Sequence, residues 1–509
     1  MTLTDMVASA AAHWGDRPVL EFDRCGTILS FRALHEQTDL VAANLIDLGL
    51  MPGERVGLCM ANIPQYPLSW FGILKAGGVV VPMNIAYRQD DAFHICQTSD
   101  VRFIICDEER AALFETLRPT LPDLQNIFVV GGSDENFDIL LKPSTRSVLV
   151  KRISGDLTNL QFTSGTTGLP KGCMLTHRYW TELVDGIQRD IVEIVPQDVM
   201  LTAQSFSYID PQWALVLCLH SGAKLVVLER FRPSEFWAKV VEYDVTFFYC
   251  LAAMPLMMLS SPPSPAEKQH KVRLVICSAI PPNRHAAIEE RFGCPWMEGY
   301  GSTETGSDIS VSLSQHSAYV GSGSIGLPLR HREVEIVDDF DQPVSNDDIG
   351  ELVVRGPGMM RGYWRQPEAT ESVFRNGWYH TGDLATRSSD GRLYLVGRKR
   401  DMIRRAGENI AAIELETVLQ QHPDVKLAAC VAVPDAVRNE EVMALLVTED
   451  DYDLSAIISF MKNRLATFKV PRYWKIVEQL PLTPSARVAK PEISRAIDSD
   501  VFDLRSIAS

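Results

Sequence analysis

The sequence predicts an α/β protein in two parts: a large N-terminal domain of parallel and mixed sheets with helices, and a small α+β domain at the C-terminal end. Three observations predict it. Short apolar runs of strand character alternate with amphipathic helical segments through the first half, the pattern of βαβ units and parallel sheet. At 509 residues the chain exceeds what one hydrophobic core organises. From residue 400 onward a separate, compact succession of helices and strands follows a strongly basic strand.

Taken in order, Leu3 to Ala12 has apolar residues at helical spacing, with Thr4 as its cap. Pro18 to Glu21 and Gly26 to Ser30 form a hairpin, and Phe31 to Leu48 an amphipathic helix ended by Gly49. Arg55 to Cys59, Val79 to Val81, Val101 to Cys106 and Asn126 to Val130 are buried strands, with a helix from Trp70 to Lys75. Gly131 to Gly155 is a polar loop. Beyond it come a helix over Tyr179 to Ile194, a strand over Asp198 to Ala203, the pair Lys224 to Leu228 and Val245 to Tyr249 around a helix from Pro233 to Glu242, and a surface loop over Ser260 to Gln269. Leu274 to Cys277, Val334 to Val337 and Gly350 to Val354 are strands. In the small domain, helices over Ile413 to Gln420 and Leu454 to Leu465 alternate with strands over Leu427 to Val433 and Val442 to Val447.

Composition narrows the function classes. Apolar content of 46% and charged content of 22% are globular values. A net charge of −16 argues against non-specific binding to nucleic acid or an anionic membrane, so an anionic ligand needs local positive charge. The ten cysteines show no metal-ligand spacing and read as reduced core thiols of a cytoplasmic protein. No signal peptide is apparent at the N-terminus, and the longest apolar run, Val245 to Leu259, is too short to span a bilayer and contains Pro255.

Four stretches carry chemistry. Thr163-Ser-Gly-Thr-Thr-Gly168, followed by Lys171, gathers hydroxyls (Thr163, Ser164, Thr166, Thr167) and glycines (Gly165, Gly168) around one lysine after an apolar strand. Free N–H groups of a tight glycine loop form an anion cradle, hydroxyls add donors, and the ammonium suits a phosphate chain. The Walker A order is absent, because Leu169-Pro170 separates Gly168 from the lysine. Glu298-Gly-Tyr-Gly-Ser-Thr-Glu-Thr-Gly306 joins close-approach glycines (Gly299, Gly301) and Ser302 to an aromatic ring (Tyr300), a donor (Thr303) and a hard carboxylate suited to Mg²⁺ (Glu304). Gly377-Trp-Tyr-His-Thr-Gly-Asp383 ends on an acidic residue in a turn after glycine. Five of the nine residues from Gly397 to Arg405 are basic.

These motifs resemble, in order and over essentially the whole chain, those of the adenylate-forming (ANL) superfamily, which includes acyl-CoA synthetases, non-ribosomal peptide adenylation domains and firefly luciferases. Phe236-Trp, Arg291-Phe-Gly, Met402-Ile-Arg-Arg-Ala-Gly-Glu-Asn409 and Phe468-Lys-Val-Pro look like crotonobetaine/carnitine-CoA ligases and their neighbours. The resemblance implies an ATP-dependent carboxylic acid:CoA ligase that forms an acyl-adenylate and pyrophosphate, then an acyl-CoA thioester. It implies a large domain over 1–399 with a small β-barrel-like part, and a mobile lid over 400–509 hinged near Arg400, where relatives have Asp or Lys. ATP, Mg²⁺ and CoA are the implied cofactor and co-substrates. The partners are a small carboxylic acid and, as the alternative acceptor, an acyl carrier protein; no nucleic acid and no stable membrane insertion are expected, and the state is monomer or homodimer.

Residue by residue, the resemblance gives the phosphates to the loop and Lys171, and the α-phosphate to Thr303. Magnesium goes to Glu304, adenine to Tyr300 and to the turn Ser278-Ala279-Ile280, and ribose to Asp383 and Arg398. Tyr208 takes a gate position where many relatives have histidine, with Asp210 and Trp213 near the acid pocket. Gly407, Glu408 and Asn409 belong to the thiol tunnel. The lysine that relatives use in adenylation is replaced: Arg487 aligns with it after Ala486, and Lys490, three residues on, is the alternative. Leu74 to Asn84 and Gly362-Tyr-Trp364 read as packing. Two rival readings remain: an adenylating enzyme that transfers the acyl group to a carrier-protein thiol or an amine, and a nucleotide-binding regulator without catalysis.

Overall fold

A computed structural model describes residues 1–131, 137–146, 148, 150–163, 169–251, 254–406, 408–435, 437–482 and 488–507. Among these, the strands form four sheets. A six-stranded sheet is parallel from Asn126–Val130 through Val101–Asp107, Arg55–Cys59 and Val79–Pro82 to Leu157–Thr163, and ends in the antiparallel Lys171–Thr176. A nine-stranded sheet has a parallel centre of Trp296–Ser302, Leu274–Cys277, Phe247–Cys250, Val199–Thr202, Lys224–Val227 and Pro18–Phe22. Its antiparallel edges are Gly306–Ser310 with Leu327–Pro328, and Thr27–Ser30.

Between these two sheets lies a layer of helices: Leu3–Trp14, Phe31–Asp47, Gln65–Lys75, His177–Gly186 and Ile209–Ser221. Their apolar faces merge with both sheets into one core, in which Trp70, Trp180, Phe31 and Leu215 are almost fully buried. Burying such side chains contributes roughly 2–3 kcal/mol each. A five-stranded antiparallel sheet, with Gly350–Arg355 and Trp378–Arg387 at its centre and Glu333–Val337 at one edge, packs its own core around Ile336, Leu352 and Ala385. The small domain is a six-stranded sheet dominated by the hairpin Val425–Asp435 and Asn439–Thr448, with helices Ala412–Leu419 and Leu454–Lys462 against it. The predicted class, a large α/β domain followed by a small α+β one, is thus what the chain forms.

Details differ from the sequence reading, each for a physical reason. Thr2 rather than Thr4 caps the first helix, as its hydroxyl accepts from Asp5 while the Asp5 carboxylate accepts from Thr2 N–H. The helix expected from Trp70 starts at Gln65, and helices over Gln89–Ser99 and Glu108–Leu117 went unread. The helix after the phosphate strand runs from His177 to Gly186 and then widens into a π turn over Ile187–Ile191, short of the expected Ile194. The loop Ser260 to Gln269 is not all surface, because Glu267 is buried against Arg291 at 2.8 Å.

Candidate active site

The strand Leu157–Thr163 and its antiparallel partner Lys171–Thr176 bring Thr163 directly opposite Lys171. The five loop residues between them, Ser164, Gly165, Thr166, Thr167 and Gly168, lie outside the described residues. The strand itself carries Thr158, Asn159 and Gln161, all buried, where a central strand normally holds apolar side chains. Buried polar groups require partners: Thr158 donates to Leu175 O and accepts from Trp180 Nε1, and the other two find partners in the segment 206–212. Gln161 Nε2 donates to Ser207 O (2.6 Å), Asn159 Nδ2 to Gln212 Oε1 (2.9 Å), and Gln212 Nε2 to Phe206 O (2.7 Å). The strand that leads to residues 164–168 therefore also fixes the segment that carries Tyr208.

Glu304 comes from a hairpin. Trp296–Ser302 pairs with Gly306–Ser310, and Thr303 and Glu304 occupy the turn. Glycine is required at 301, since a Cβ there would sit 1.9 Å from Gly306 O. Beneath the turn Arg332 and Asp308, both fully buried, pair at 2.7 Å, and Arg332 also donates to Thr305 O and Pro357 O. Removing one partner of such a pair strands a buried charge and costs roughly 3–5 kcal/mol. Glu304 Oε1 accepts from Thr163 Oγ1 (3.4 Å) and Tyr363 OH (3.2 Å), and Lys171 Nζ lies 5.2 Å from the centre of the Tyr363 ring. Lys171 and Glu304 thus share one tyrosine, and Glu304 also takes the loop anchor Thr163. The sequence reading took Gly362-Tyr-Trp364 as packing, and the structure corrects this for Tyr363.

On the nucleoside side, Tyr300 OH donates to Asp383 Oδ2 (2.7 Å) and Arg398 Nε lies 2.8 Å from Asp383 Oδ1. Burial and then Asp383 hold the Tyr300 hydroxyl far above its ordinary pKa, so it is a neutral donor. Burial pulls the Arg398 guanidinium down, but Asp383 and Tyr300 outweigh it and keep it above its usual value. Ser278 Oγ donates to Gly299 O (2.8 Å). Ala279 adopts φ +67°, a left-handed conformation that strains a residue with a Cβ. The turn is held by the buried Glu298 carboxyl, which accepts from the N–H groups of Ala279 and Ile280. Burial pushes Glu298 up to about 8 against the pull of those two donors.

On the acid side, Tyr208 stands at the N-terminus of the helix Ile209–Ser221. Its hydroxyl accepts from Asn84 Nδ2 (2.9 Å) and is held above its ordinary pKa by burial, then by Tyr87. Asn84 ends a phrase that the sequence reading took as packing, and it instead orients the candidate gate. Asp210 is half-buried in the first turn of that helix, and Trp213 is buried and packs edge-on against Tyr249, centroids 5.6 Å apart.

The small domain places its basic residues elsewhere. Arg400 Nε lies 3.6 Å from Asp401, and Glu408 is exposed on a hairpin with Met402–Arg405, whose Arg404 pairs with Asn409. Lys490 Nζ is 2.7 Å from Glu416 Oε1 and 3.8 Å from Asp401, engaged within its own domain. Gly407 and Arg487 lie outside the described residues.

For magnesium the test is chemical. No cluster of three or more His, Cys, Asp or Glu with metal geometry occurs among the described residues. Mg²⁺ in phosphate sites takes one or two carboxylates, the rest of its shell being phosphate and water. Glu304, half-buried beside the loop anchor Thr163 and Tyr363, fits that role.

Known proteins resemble the chain over most of its length. The model of the AMP-binding enzyme family matches residues 7–364, and that of the AMP-binding enzyme C-terminal domain matches 414–487. A crotonobetaine/carnitine–CoA ligase of Salmonella paratyphi B is 30% identical over 512 aligned positions, covering 96% of this chain and 98% of the relative. ATP-bound MatB from Rhodopseudomonas palustris superposes with a TM-score of 0.88 at 24% identity, covering 96% and 98% of the two chains, which speaks for the fold. The amide bond synthetase McbA from Marinactinospora thermotolerans does so with a TM-score of 0.86 at 25% identity, covering 96% and 99%. Among the described residues no helix is long and apolar enough to cross a membrane. With its signature loops in order and its strand-end site assembled from them, the chain belongs to the AMP-binding enzyme family, as an adenylate-forming enzyme of the acyl-CoA synthetase class.

Proposed function

We propose that the protein is an ATP-dependent carboxylic acid:CoA ligase. The observation that carries the reading is the convergence of Thr163 and Tyr363 on Glu304, with Lys171 over the Tyr363 ring, beside the Tyr300–Asp383–Arg398 group. In this reading the glycine-hydroxyl loop and Lys171 hold the phosphate chain, Asp383 accepts from the ribose hydroxyls, Tyr300 and the Ser278 turn flank adenine, and Thr303 donates to the α-phosphate. Glu304 holds magnesium, which when bound draws charge from the phosphate oxygens. The acid's carboxylate attacks the α-phosphorus, the bond to the β-phosphate breaks, and pyrophosphate leaves. Catalysis is positioning and electrostatic stabilisation by groups already in place. A thiol then attacks the carbonyl carbon of the mixed anhydride, loses its proton and expels AMP.

The large domain is assigned to 1–399 and the small one to 400–509, with rotation about Arg400 bringing Glu408 and Asn409 to the thiol path. Arg487 takes the place of the lysine that relatives use in adenylation; the ion pair of Lys490 with Glu416 supports Arg487 over Lys490. Nine buried free thiols support a reducing, cytoplasmic setting. The likeness to an amide bond synthetase keeps one second reading: the same adenylate passed to an amine or a carrier-protein thiol. Acid-dependent exchange of pyrophosphate into ATP tests the first step, and release of AMP on adding CoA tests the acceptor. Exchange without CoA-dependent AMP release favours the second reading, and no exchange with any acid removes both.

A further inference from the structure

The small domain gathers four arginines on one carboxylate. Glu441 is fully buried, and Arg405 (2.6 Å), Arg505 (2.9 Å), Arg438 (3.4 Å) and Arg472 (4.0 Å) all reach it. Arg438 is a near neighbour in sequence, whereas Arg405, Arg472 and Arg505 come from other segments. We propose that residues 502–505 clamp the hairpin of Met402–Arg405 with Glu408–Ala411 through Arg505 and Glu441, and that this clamp sets the thiol step of the reaction and not adenylation. Arg505 and Glu441 are then positioning residues for that step. The proposal rests on the reading above, in which this hairpin brings Glu408 and Asn409 to the thiol path.

The hairpin joins the rest of the sheet by little backbone pairing. Among the described residues its ladder with Asn439–Thr448 is one pair, Arg405 opposite Asn439. Side chains and turn contacts supply the rest. Arg404 N–H donates to Glu440 Oε2 (2.6 Å) and Ala406 N–H to Arg438 O (2.8 Å). The Arg405 guanidinium donates to Phe468 O and Val470 O while it pairs with Glu441. Arg405 also stands opposite Glu408 in the last pair before the hairpin turn, and the chain turns at Ala406 with φ +52°. The tip that carries Glu408 therefore follows wherever Arg405 is held.

Residues 502–505 close this arrangement from the other side. Asp503 lies opposite Tyr473 and accepts from Arg472 Nη2 (2.8 Å), and Leu504 N–H donates to Arg472 O (2.9 Å). Arg505 Nη2 then donates to Glu441 Oε1 (2.9 Å), while Arg405 Nε faces Oε2. A carboxylate gripped on both oxygens cannot rotate. Without Arg505, Oε1 keeps only Arg438 at 3.4 Å and Arg472 at 4.0 Å. The buried charge stays compensated by three arginines, so no unpaired ion is left behind. The carboxylate can nevertheless turn, and Arg405 and the hairpin tip turn with it. Misplacing a positioning element by about 1 Å can cost about 10²-fold in rate.

The test separates the two half-reactions in the full chain, using whichever of a panel of aliphatic and aromatic acids supports pyrophosphate exchange into ATP. Arg505→Ala is expected to lower CoA-dependent AMP release about tenfold and to raise KM for CoA, with pyrophosphate exchange and KM for ATP within about twofold of wild type. Arg505→Lys keeps the charge without the planar fork and is expected to lie between the two. A second readout needs no substrate. Amide hydrogen exchange in Met402–Arg405 and Glu408–Ala411 is expected to quicken about tenfold in Arg505→Ala, while that of the helix Leu454–Lys462 stays as in wild type. AMP release equal to wild type, a fall in pyrophosphate exchange as large as the fall in AMP release, or hydrogen exchange quickened alike in hairpin and helix overturns the clamp and leaves the ligase reading intact. A wild type that exchanges pyrophosphate but releases no AMP to CoA overturns the CoA reading and the role of the clamp with it. No pyrophosphate exchange with any acid overturns the acid-activating reading and, with it, the clamp's role.

Discussion

The strand ends of the large domain and the small domain hold their charged side chains differently. At those strand ends Glu304 and Lys171 meet the aromatic Tyr363, and Asp383 accepts from Tyr300 besides its ion pair with Arg398 at 2.8 Å. In the small domain, charged groups are neutralised against each other: Lys490 on Glu416, Arg405 on the fully buried Glu441 at 2.6 Å, Arg472 on Asp503 at 2.8 Å. The first arrangement pre-organises donors and acceptors for a ligand. The second holds together a compact body that can move as a unit. In the proposed function the first arrangement serves nucleotide binding and the second a domain that delivers the acceptor.

The most severe way to break the contrast is Glu304→Gln. It keeps the shape and removes the charge, and it should lower adenylate formation about 10²–10³-fold in pyrophosphate exchange, with the unfolding midpoint nearly unchanged. Lys490→Ala should do the reverse. Leaving the half-buried Glu416 without its partner should cost about 1–3 kcal/mol in chemical denaturation of the small domain. Adenylate formation should stay within about threefold, against a loss of about 10²-fold for Arg487→Ala. A loss in Lys490→Ala as large as in Arg487→Ala would put Lys490 in the site and erase the distinction.

Acid should sharpen the comparison by loosening the large domain. His177, at the start of the helix after the phosphate strand, is buried and accepts from Leu3 N–H at Nδ1 (3.1 Å). Burial, then Arg152, depress it from 6.5 to about 4. A depressed folded pKa means the stabilisation is fully present above 6.5 and is lost as pH falls through about 4. The full difference is on the order of 3 kcal/mol, and His177→Asn should flatten the stability curve between those limits. The smallest effect concerns strain. Ala279 in the large domain and Ala406 in the small one have φ of +67° and +52°. Replacing each by glycine should stabilise by up to about 1 kcal/mol in thermal unfolding.

Local chemistry was legible and long-range chemistry was not. Arg55–Cys59, Asn126–Val130, Pro233–Glu242 and Leu274–Cys277 were read to the residue, because a continuous apolar run or a helical stripe bounded by Gly or Pro is a local signal. Gln89–Ser99 and Glu108–Leu117 were missed because charged residues dilute their apolar faces and leave few residues to bury. The site followed the same rule. Asp383, Tyr300 and Glu304 announce themselves through glycines and hydroxyls around them. Tyr363 acts on Glu304 from 59 residues away, and Asn84 on Tyr208 from 124, and nothing in their own neighbourhoods marks them. A tyrosine in an apolar phrase reads as packing until the fold brings a carboxylate to it.

The most direct test is a crystal structure of the protein with ATP. The account predicts the triphosphate at the loop between Thr163 and Lys171, the ribose hydroxyls on Asp383, and a γ- or β-phosphate oxygen sharing a cation with Glu304. ATP bound away from these residues, with the loop empty at saturating nucleotide, would contradict it.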